Sequence, residues 1–260
     1  MFLGVEIGGT KLQVGVCDRQ GRLRALVRRS VERRKGARAI LRQLEEIIPP
    51  LLRAYRIKKI GVGFGGPFDI ETGRAVRSHQ ITGWDGFPVQ RWFERRFKLP
   101  VAIENDQNCA GLAEALCGAG RGLRRVLYIT VGTGIGGGLI LDGEIYGGRY
   151  GAAEIGHTWV GNHRLEAVAS GLAIERGVST VAQSGRHVGI AIANAIALFN
   201  PDIVIVGGGV SSAGKKFWNP LRASVKRHVF PVFRKNFRIA RPALGETVVV
   251  VGAALLAAKR

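Results

Sequence analysis

The chain has 260 residues, 46% of them hydrophobic and 22% charged, which are ordinary values for a globular protein with a sizeable core. No apolar run approaches the roughly 18 residues that a membrane-spanning helix needs. The opening Met1-Phe2-Leu3-Gly4-Val5-Glu6-Ile7 lacks the charged lead, long apolar stretch and small-residue cleavage site of a secretory signal, so a cytoplasmic protein with no membrane partner is expected. Three cysteines, Cys17, Cys109 and Cys117, are odd in number and lack metal-ligand spacing, which suits small buried thiols in a reducing compartment.

The first segment, 3–7, reads as a short buried strand that stops at Gly8-Gly9. Residues 12–17 resume in alternation, and Asp18-Arg19-Gln20-Gly21 turns the chain into a third strand, 23–31. From Ala37 to Tyr55 apolar residues recur at helical spacing, with Pro49-Pro50 expected to interrupt or kink the helix. A buried strand at 60–64 ends in Gly65-Gly66-Pro67; a helix is predicted over 89–97, and a strand at 101–103 delivers Glu104-Asn105-Asp106 to a small-residue helix, 108–116. The cycle then restarts. Strand 126–131 leads to the glycine run 132–138, strand 139–141 and the turn Asp142-Gly143. A helix over 188–199, a strand at 203–206, Gly207-Gly208-Gly209 and a closing helix over 248–258 complete it.

Each half therefore begins with a strand, a glycine turn and a hairpin, and then alternates helices with strands. That repetition predicts a duplicated α/β fold with a cleft between two domains. The expected division is a smaller N-terminal α/β domain over 1–105 and a larger C-terminal one over 106–245, with the closing helix, 246–260, able to pack on the first.

Charge is unevenly spread. Lys and Arg number 39 against 19 Asp and Glu, a net charge of +20. Arg19 to Arg42 carries ten basic residues and the single acid Glu32, and Val210 to Arg260 carries eleven with the single acid Glu246. Such a field attracts polyanions: nucleic acid, polyphosphate or nucleotide phosphates. An arginine-rich solvated face reads the same way, and the lack of interleaved aromatics for base stacking disfavours nucleic acid.

Glycine turns after strands let backbone N–H groups approach phosphate with no β-carbon in the way. Three occur here, at Gly8-Gly9-Thr10-Lys11, Gly132-Thr133-Gly134 and Gly207-Gly208-Gly209. None is a Walker A loop, and no GxGxxG follows the first strand. Asn105-Asp106 sits where a buried strand meets a helix, a natural N-cap position. A second polar set, Glu154, His157 and Glu166, suits a polyhydroxylated ligand, whose hydroxyls need both donors and acceptors.

Taken together these segments resemble the ROK family of bacterial sugar kinases and repressors. The resemblance runs from Gly4 to Ala258 through Val5-Glu-Ile-Gly-Gly-Thr-Lys11, Gly63-Phe-Gly-Gly-Pro-Phe-Asp69, Trp84, Pro100-Val-Ala-Ile-Glu-Asn-Asp106, Gly132-Thr-Gly-Ile-Gly-Gly-Gly138, Glu154-Ile-Gly-His157, Leu165-Glu166 with Ser170-Gly171, and Ile205-Val-Gly-Gly-Gly-Val210. It implies the two-domain, actin-like (ribonuclease H-like) ATPase fold and transfer of the γ-phosphate of ATP, with Mg²⁺, to a hexose, glucose first. By similarity Asp106 is the base that takes the proton of the 6-hydroxyl. Asn105, Glu154, His157 and Glu166 hold the other hydroxyls, with the Gly65 backbone nearby. Gly8, Gly9, Thr10 and Lys11 with Gly132, Thr133 and Gly134 hold donor phosphates, and Gly207, Gly208, Gly209 and Val210 the adenosine side. Glu6 stands where the family more often has Asp and is a candidate Mg²⁺ contact through water.

The cysteine-rich zinc motif usual between the Gly-His and the Glu of the sugar site is missing, so no structural zinc is expected. The stretch 179–186 is also shorter than in most members. Two alternatives remain open at this point. One is a polyphosphate-dependent glucokinase, suited by the basic field. The other, of a different class, is a non-catalytic sugar-responsive regulator; family repressors resemble this chain plus an N-terminal DNA-binding module, for which a phosphate strand starting at Leu3 leaves no room. Oligomer size stays open, a homodimer included.

Overall fold

The structure, a computed structural model, describes residues 1–76, 81–149 and 151–259. Strands β1 (Phe2–Ile7), β2 (Lys11–Cys17) and β3 (Leu23–Ser30) form an antiparallel meander, followed by helix α1 (Gly36–Ala54) and β4 (Lys59–Phe64). A small ribbon, β5 (Phe68–Asp69) with β6 (Arg74–Ala75), precedes α2 (Val89–Phe97), and β7 (Val101–Asn105) runs directly into α3 (Asp106–Cys117). The second series opens alike, with β8 (Arg125–Val131), β9 (Ile135–Leu141) and β10 (Glu144–Ile145). A ribbon of β11 (Trp159–Val160) and β12 (His163–Arg164) and two short helices, α4 (Leu165–Ala169) and α5 (Gly171–Glu175), lead to α6 (Val181–Phe199). Strand β13 (Ile203–Gly207), α7 (Lys215–His228), β14 (Arg238–Ala240) and α8 (Val248–Lys259) follow. Among the described residues no helix is long and apolar enough to cross a membrane.

The chain divides into two compact units, one of Met1–Cys117, Gly147–Gly151 and Leu244–Arg260, the other of Gly118–Tyr146 and Ala152–Ala243. The first unit holds a five-stranded sheet in the order β3-β2-β1-β4-β7, antiparallel through the meander and parallel from β1 to β7. Its central strands are buried on both faces. Leu3, Val5 and Ile7 join Ile40, Leu44 and Ile48 of α1 in one core, while Gly4 and Gly61 face α8. A β-carbon on Gly61 would run into the Ala253 carbonyl, so glycine is what lets α8 lie directly on the sheet. Helix α8 is buried from Val248 to Ala257, which explains a sequence that is apolar all round. The second unit repeats the plan in the order β10-β9-β8-β13-β14, again a hairpin followed by parallel strands.

Three expectations need correction. Helix α1 continues through Pro49 and Pro50, although an interior proline costs about 3 kcal/mol, because its buried stripe of Leu44, Ile47, Ile48 and Leu51 spans both prolines. The glycine run is mostly strand. Gly136, Gly137 and Gly138 belong to β9, and Gly137 lies so close to the Ala153 carbonyl that no β-carbon fits. Helix α6 starts at Val181 rather than Val188, because Thr180 and Gln183 form a reciprocal capping box at its N-terminus. Helix α7, with Phe217, Trp218, Leu221 and Val225 buried, went unread in the sequence, where Pro220 and the surrounding basic residues mask its spacing.

Candidate active site

In the first unit, Ile7 pairs with Phe64 and Phe64 with Asn105, so three parallel strands end side by side. Ligands of open α/β sheets bind at such carboxyl ends. Here the ends carry the turn at Gly8-Gly9, the turn at Gly65-Gly66, and Asp106. A β-carbon on Gly65 would come 3.1 Å from Asp106 Oδ2 and 3.5 Å from the Gly8 α-carbon, so the carboxylate lies against the Gly65 turn, which itself packs on the Gly8 turn. Trp84, only 1% exposed, packs edge-on to Phe64 at 5.3 Å and holds this end of β4 in the core. The Asn105 Oδ1 accepts the Gln107 N–H at 2.8 Å. Asn105 therefore caps α3 through its oxygen and keeps its amide donor for other work.

The first glycine turn closes on itself, with the Gly8 N–H donating to the Lys11 carbonyl at 3.1 Å. Among the described residues the Gly9 and Thr10 N–H groups make no hydrogen bond, which leaves them open as backbone donors. Lys11 Nζ sits 3.2 Å from Glu6 Oε1 and donates to the Glu246 carbonyl at 3.3 Å. Gln13, buried beside it, donates to Glu6 Oε2 at 2.7 Å and to the same Glu246 carbonyl at 2.9 Å. Arg33 Nε donates to the Gly9 carbonyl at 2.8 Å, a cation that the sequence offered no way to place. Burial raises the Glu6 carboxyl above its ordinary value, with Lys11, Gln13 and Arg28 pulling it back.

Both Glu6 oxygens are thus engaged and the residue is 4% exposed, a poor fit for direct coordination of Mg²⁺. Among the described residues no group of three or more His, Cys, Asp or Glu side chains is placed to hold a metal ion. A hard cation that keeps most of its water and sits on phosphate oxygens asks for no such cage.

In the second unit the turn at Gly132–Gly134 is closed one residue tighter, by the Gly132 N–H to the Gly134 carbonyl at 2.9 Å. The Thr133 and Gly134 N–H groups make no hydrogen bond among the described residues. Glu166 Oε2 accepts the Ile135 N–H at 2.7 Å, and the Gly171 N–H donates to the Gly132 carbonyl at 2.7 Å. The ribbon of β11 and β12 delivers Glu166 by joining Thr158 to Leu165 across a 2.8 Å hydrogen bond from the Leu165 N–H. Thr133, His157 and Glu166 line one cavity of about 290 Å³, together with Arg164 and Arg176, which carried no signal in the sequence. Glu154 lines a neighbouring, more apolar hollow of about 190 Å³ with Ala191, Asn194 and Phe199. Although Glu154 is exposed as a residue, partial burial of its carboxyl raises its pKa, while His157 lowers it and Glu166 raises it again. The three side chains therefore share one electrostatic neighbourhood. Gly207 ends β13, and Gly208, just beyond it, takes a positive φ of 87° that glycine tolerates. Val210 lies beside Gly171: a β-carbon there would meet Val210 Cγ2 at 3.4 Å and the Gly132 carbonyl at 2.8 Å.

The model of the ROK family matches residues 2–183 and 173–260. The chain belongs to the ROK family. It is 30% identical over 309 residues to the glucokinase of Thermotoga maritima, an alignment covering 100% of this chain and 98% of that protein. Its structure is similar to that of a ROK hexokinase from Thermus thermophilus, with a TM-score of 0.87, 31% identity and coverage of 98% of this chain and 97% of that one. It is also similar to a ROK family glucokinase from Streptomyces griseus in complex with glucose and AMPPNP, with a TM-score of 0.85, 28% identity and coverage of 100% and 99%. The fold of this ROK chain is accordingly the actin-like ATPase fold of these kinases.

Proposed function

We propose that this protein transfers the γ-phosphate of MgATP to the 6-hydroxyl of a hexose, glucose first among them. The observation that carries this reading is the Asp106 carboxylate, set at the ends of three parallel strands against the Gly65 turn. In the reaction the hexose O6 attacks the γ-phosphorus, its proton passes to Asp106, and the bond from γ-phosphorus to the β–γ bridging oxygen breaks to release ADP. The open N–H groups of Gly9, Thr10, Thr133 and Gly134 receive donor phosphate oxygens, with the Lys11 and Arg33 charges at the first of these turns. Gly207 to Val210 take the adenosine side. Glu154, His157, Glu166 and the Asn105 amide hold the remaining sugar hydroxyls. Glu154 offers two carboxylate oxygens that can accept from ring hydroxyls there.

A coupled kinase assay over glucose, mannose, fructose and two N-acetylhexosamines tests this reading. Turnover of at least one hexose with MgATP, glucose giving the highest kcat/KM, is the expected result. No phosphorylation of any of them overturns it.

A second reading concerns the donor. Arg33, from the basic stretch 19–42, is bonded to the Gly9 carbonyl, so that cationic stretch reaches the phosphate turn and suits inorganic polyphosphate. Attraction alone does not align a terminal phosphate with the attacking hydroxyl. ATP is therefore the expected donor at near-physiological ionic strength, and any polyphosphate activity should fall as salt rises. A higher kcat/KM for polyphosphate under those conditions reverses the choice.

A further inference from the structure

Glu104 is the residue of β7 just before Asn105, and it is 1% exposed. An apolar side chain would fill such a place without loss of hydration, so a carboxylate there calls for hydrogen bonds that offset its burial. Its Oε1 accepts the Asn105 N–H at 2.9 Å and the Asn108 Nδ2 at 3.1 Å. These donors bracket Asp106: one is the residue before it on the strand, the other lies in the first turn of α3. Asn108 is also 1% exposed, and among the described residues its Oδ1 has no hydrogen-bond partner, so its carboxamide is held there from the Nδ2 side. With the Asn105 cap on the Gln107 N–H, the step from β7 to α3 is closed by side chains on both sides of Asp106.

We propose that Glu104 is a positioning residue: by clamping Asn105 and Asn108 it sets the direction in which Asp106 leaves the end of β7. The inference rests on Asp106 being the base. A displacement of about 1 Å in a reacting group costs on the order of 100-fold in rate, so a two-point clamp beside the base has a kinetic consequence.

The test uses the full chain carrying Glu104→Ala or Glu104→Gln, and reads amide hydrogen exchange at Asn105 together with kcat and KM for the hexose. Glu104→Ala should speed exchange at Asn105 by about tenfold or more, and lower kcat by about 10–100-fold with hexose KM moved less. Glu104→Gln keeps an acceptor oxygen in place and should restore both. In an Asp106→Asn background, Glu104→Ala should lower the residual rate by no more than about twofold, because the two residues act as a unit. Asn108→Ala removes one clamped donor and carries the same expectations at smaller size, should Glu104→Ala fail to fold.

Unchanged exchange at Asn105 overturns the clamp. Equal rate losses in both backgrounds, a loss confined to KM, or no rescue by Gln overturns the positioning role. A wild-type protein inactive on every hexose overturns the proposed function instead, and the clamp then stands or falls on exchange alone.

Discussion

The turn between β1 and β2 is surrounded by cations, with Lys11 and Arg33 bonded around it and Arg28 reaching Gln13 behind it. The turn between β8 and β9 is also closed by a backbone hydrogen bond but is braced by a carboxylate, Glu166, on the Ile135 N–H. One backbone device thus serves two chemistries. The peptide geometry supplies open N–H groups in both, and the side chains beside them decide what else the turn does. In the first unit the cations suit the proposed capture of phosphate. In the second, the brace that holds the turn is the carboxylate proposed to accept sugar hydroxyls, and that proposal ties sugar contacts to donor contacts.

That contrast can be broken at either turn, and the effects should differ in size and kind. The largest is expected at Asp106→Asn, which keeps shape but removes the proton acceptor, so kcat should fall by about 100-fold or more. Near-normal turnover in the folded variant contradicts the assignment. Glu166→Ala removes both the brace and a hydroxyl acceptor. Hydrogen bonds to charged groups contribute about 1.5–3 kcal/mol, so kcat/KM for hexose should drop about 10–100-fold, and Glu166→Gln should recover part of it. A loss confined to the ATP KM speaks against a sugar role.

Lys11→Met should raise the ATP KM by about threefold to tenfold, with the gap to wild type narrowing as salt increases. An ATP KM that does not move shows that the Lys11 charge is spent on Glu6 alone. The smallest effect is on stability at Glu154. Its carboxyl has a raised pKa in the folded protein, so the stability of its protonated form is fully present below the ordinary carboxylate range and is lost as pH rises through the folded value. Glu154→Gln stays neutral throughout. It should match wild type in Tm near about pH 4 and exceed it slightly near about pH 7, while hexose affinity falls. A variant less stable than wild type at neutral pH reverses the sign of that shift.

Much of the fold was legible because period and punctuation agreed. The strands at β1, β2, β4 and β13 are short apolar runs ended by glycine or a polar turn, and α2 matches its predicted range. The prolines of α1 misled because local propensity says nothing of a buried stripe that continues past them. The start of α6 was available in Thr180 and Gln183, two residues whose pairing matters more than the polar composition around them.

Candidate site residues could be read in the sequence where several types had to occur in order. Asp106 and the three glycine turns are of that kind. The network of Glu6, Lys11, Gln13 and Glu246 was not, because Glu246 arrives from a helix start more than two hundred residues away. Glu104 stood in plain view beside Asn105 and Asp106, yet a buried carboxylate bonding its own chain neighbours leaves no mark in composition or spacing.

We propose a division of labour: the base, the cationic turn and the Asn105 amide in one unit, the Glu154, His157 and Glu166 contacts to hydroxyls in the other. Calorimetric titration of glucose into wild type, Asp106→Asn and Glu166→Ala measures it without relying on turnover. Asp106→Asn should bind glucose with a Kd within about threefold of wild type, since its Asn can still hydrogen-bond the hydroxyl. Glu166→Ala should bind it at least about tenfold more weakly. Binding lost in Asp106→Asn and kept in Glu166→Ala would contradict the account.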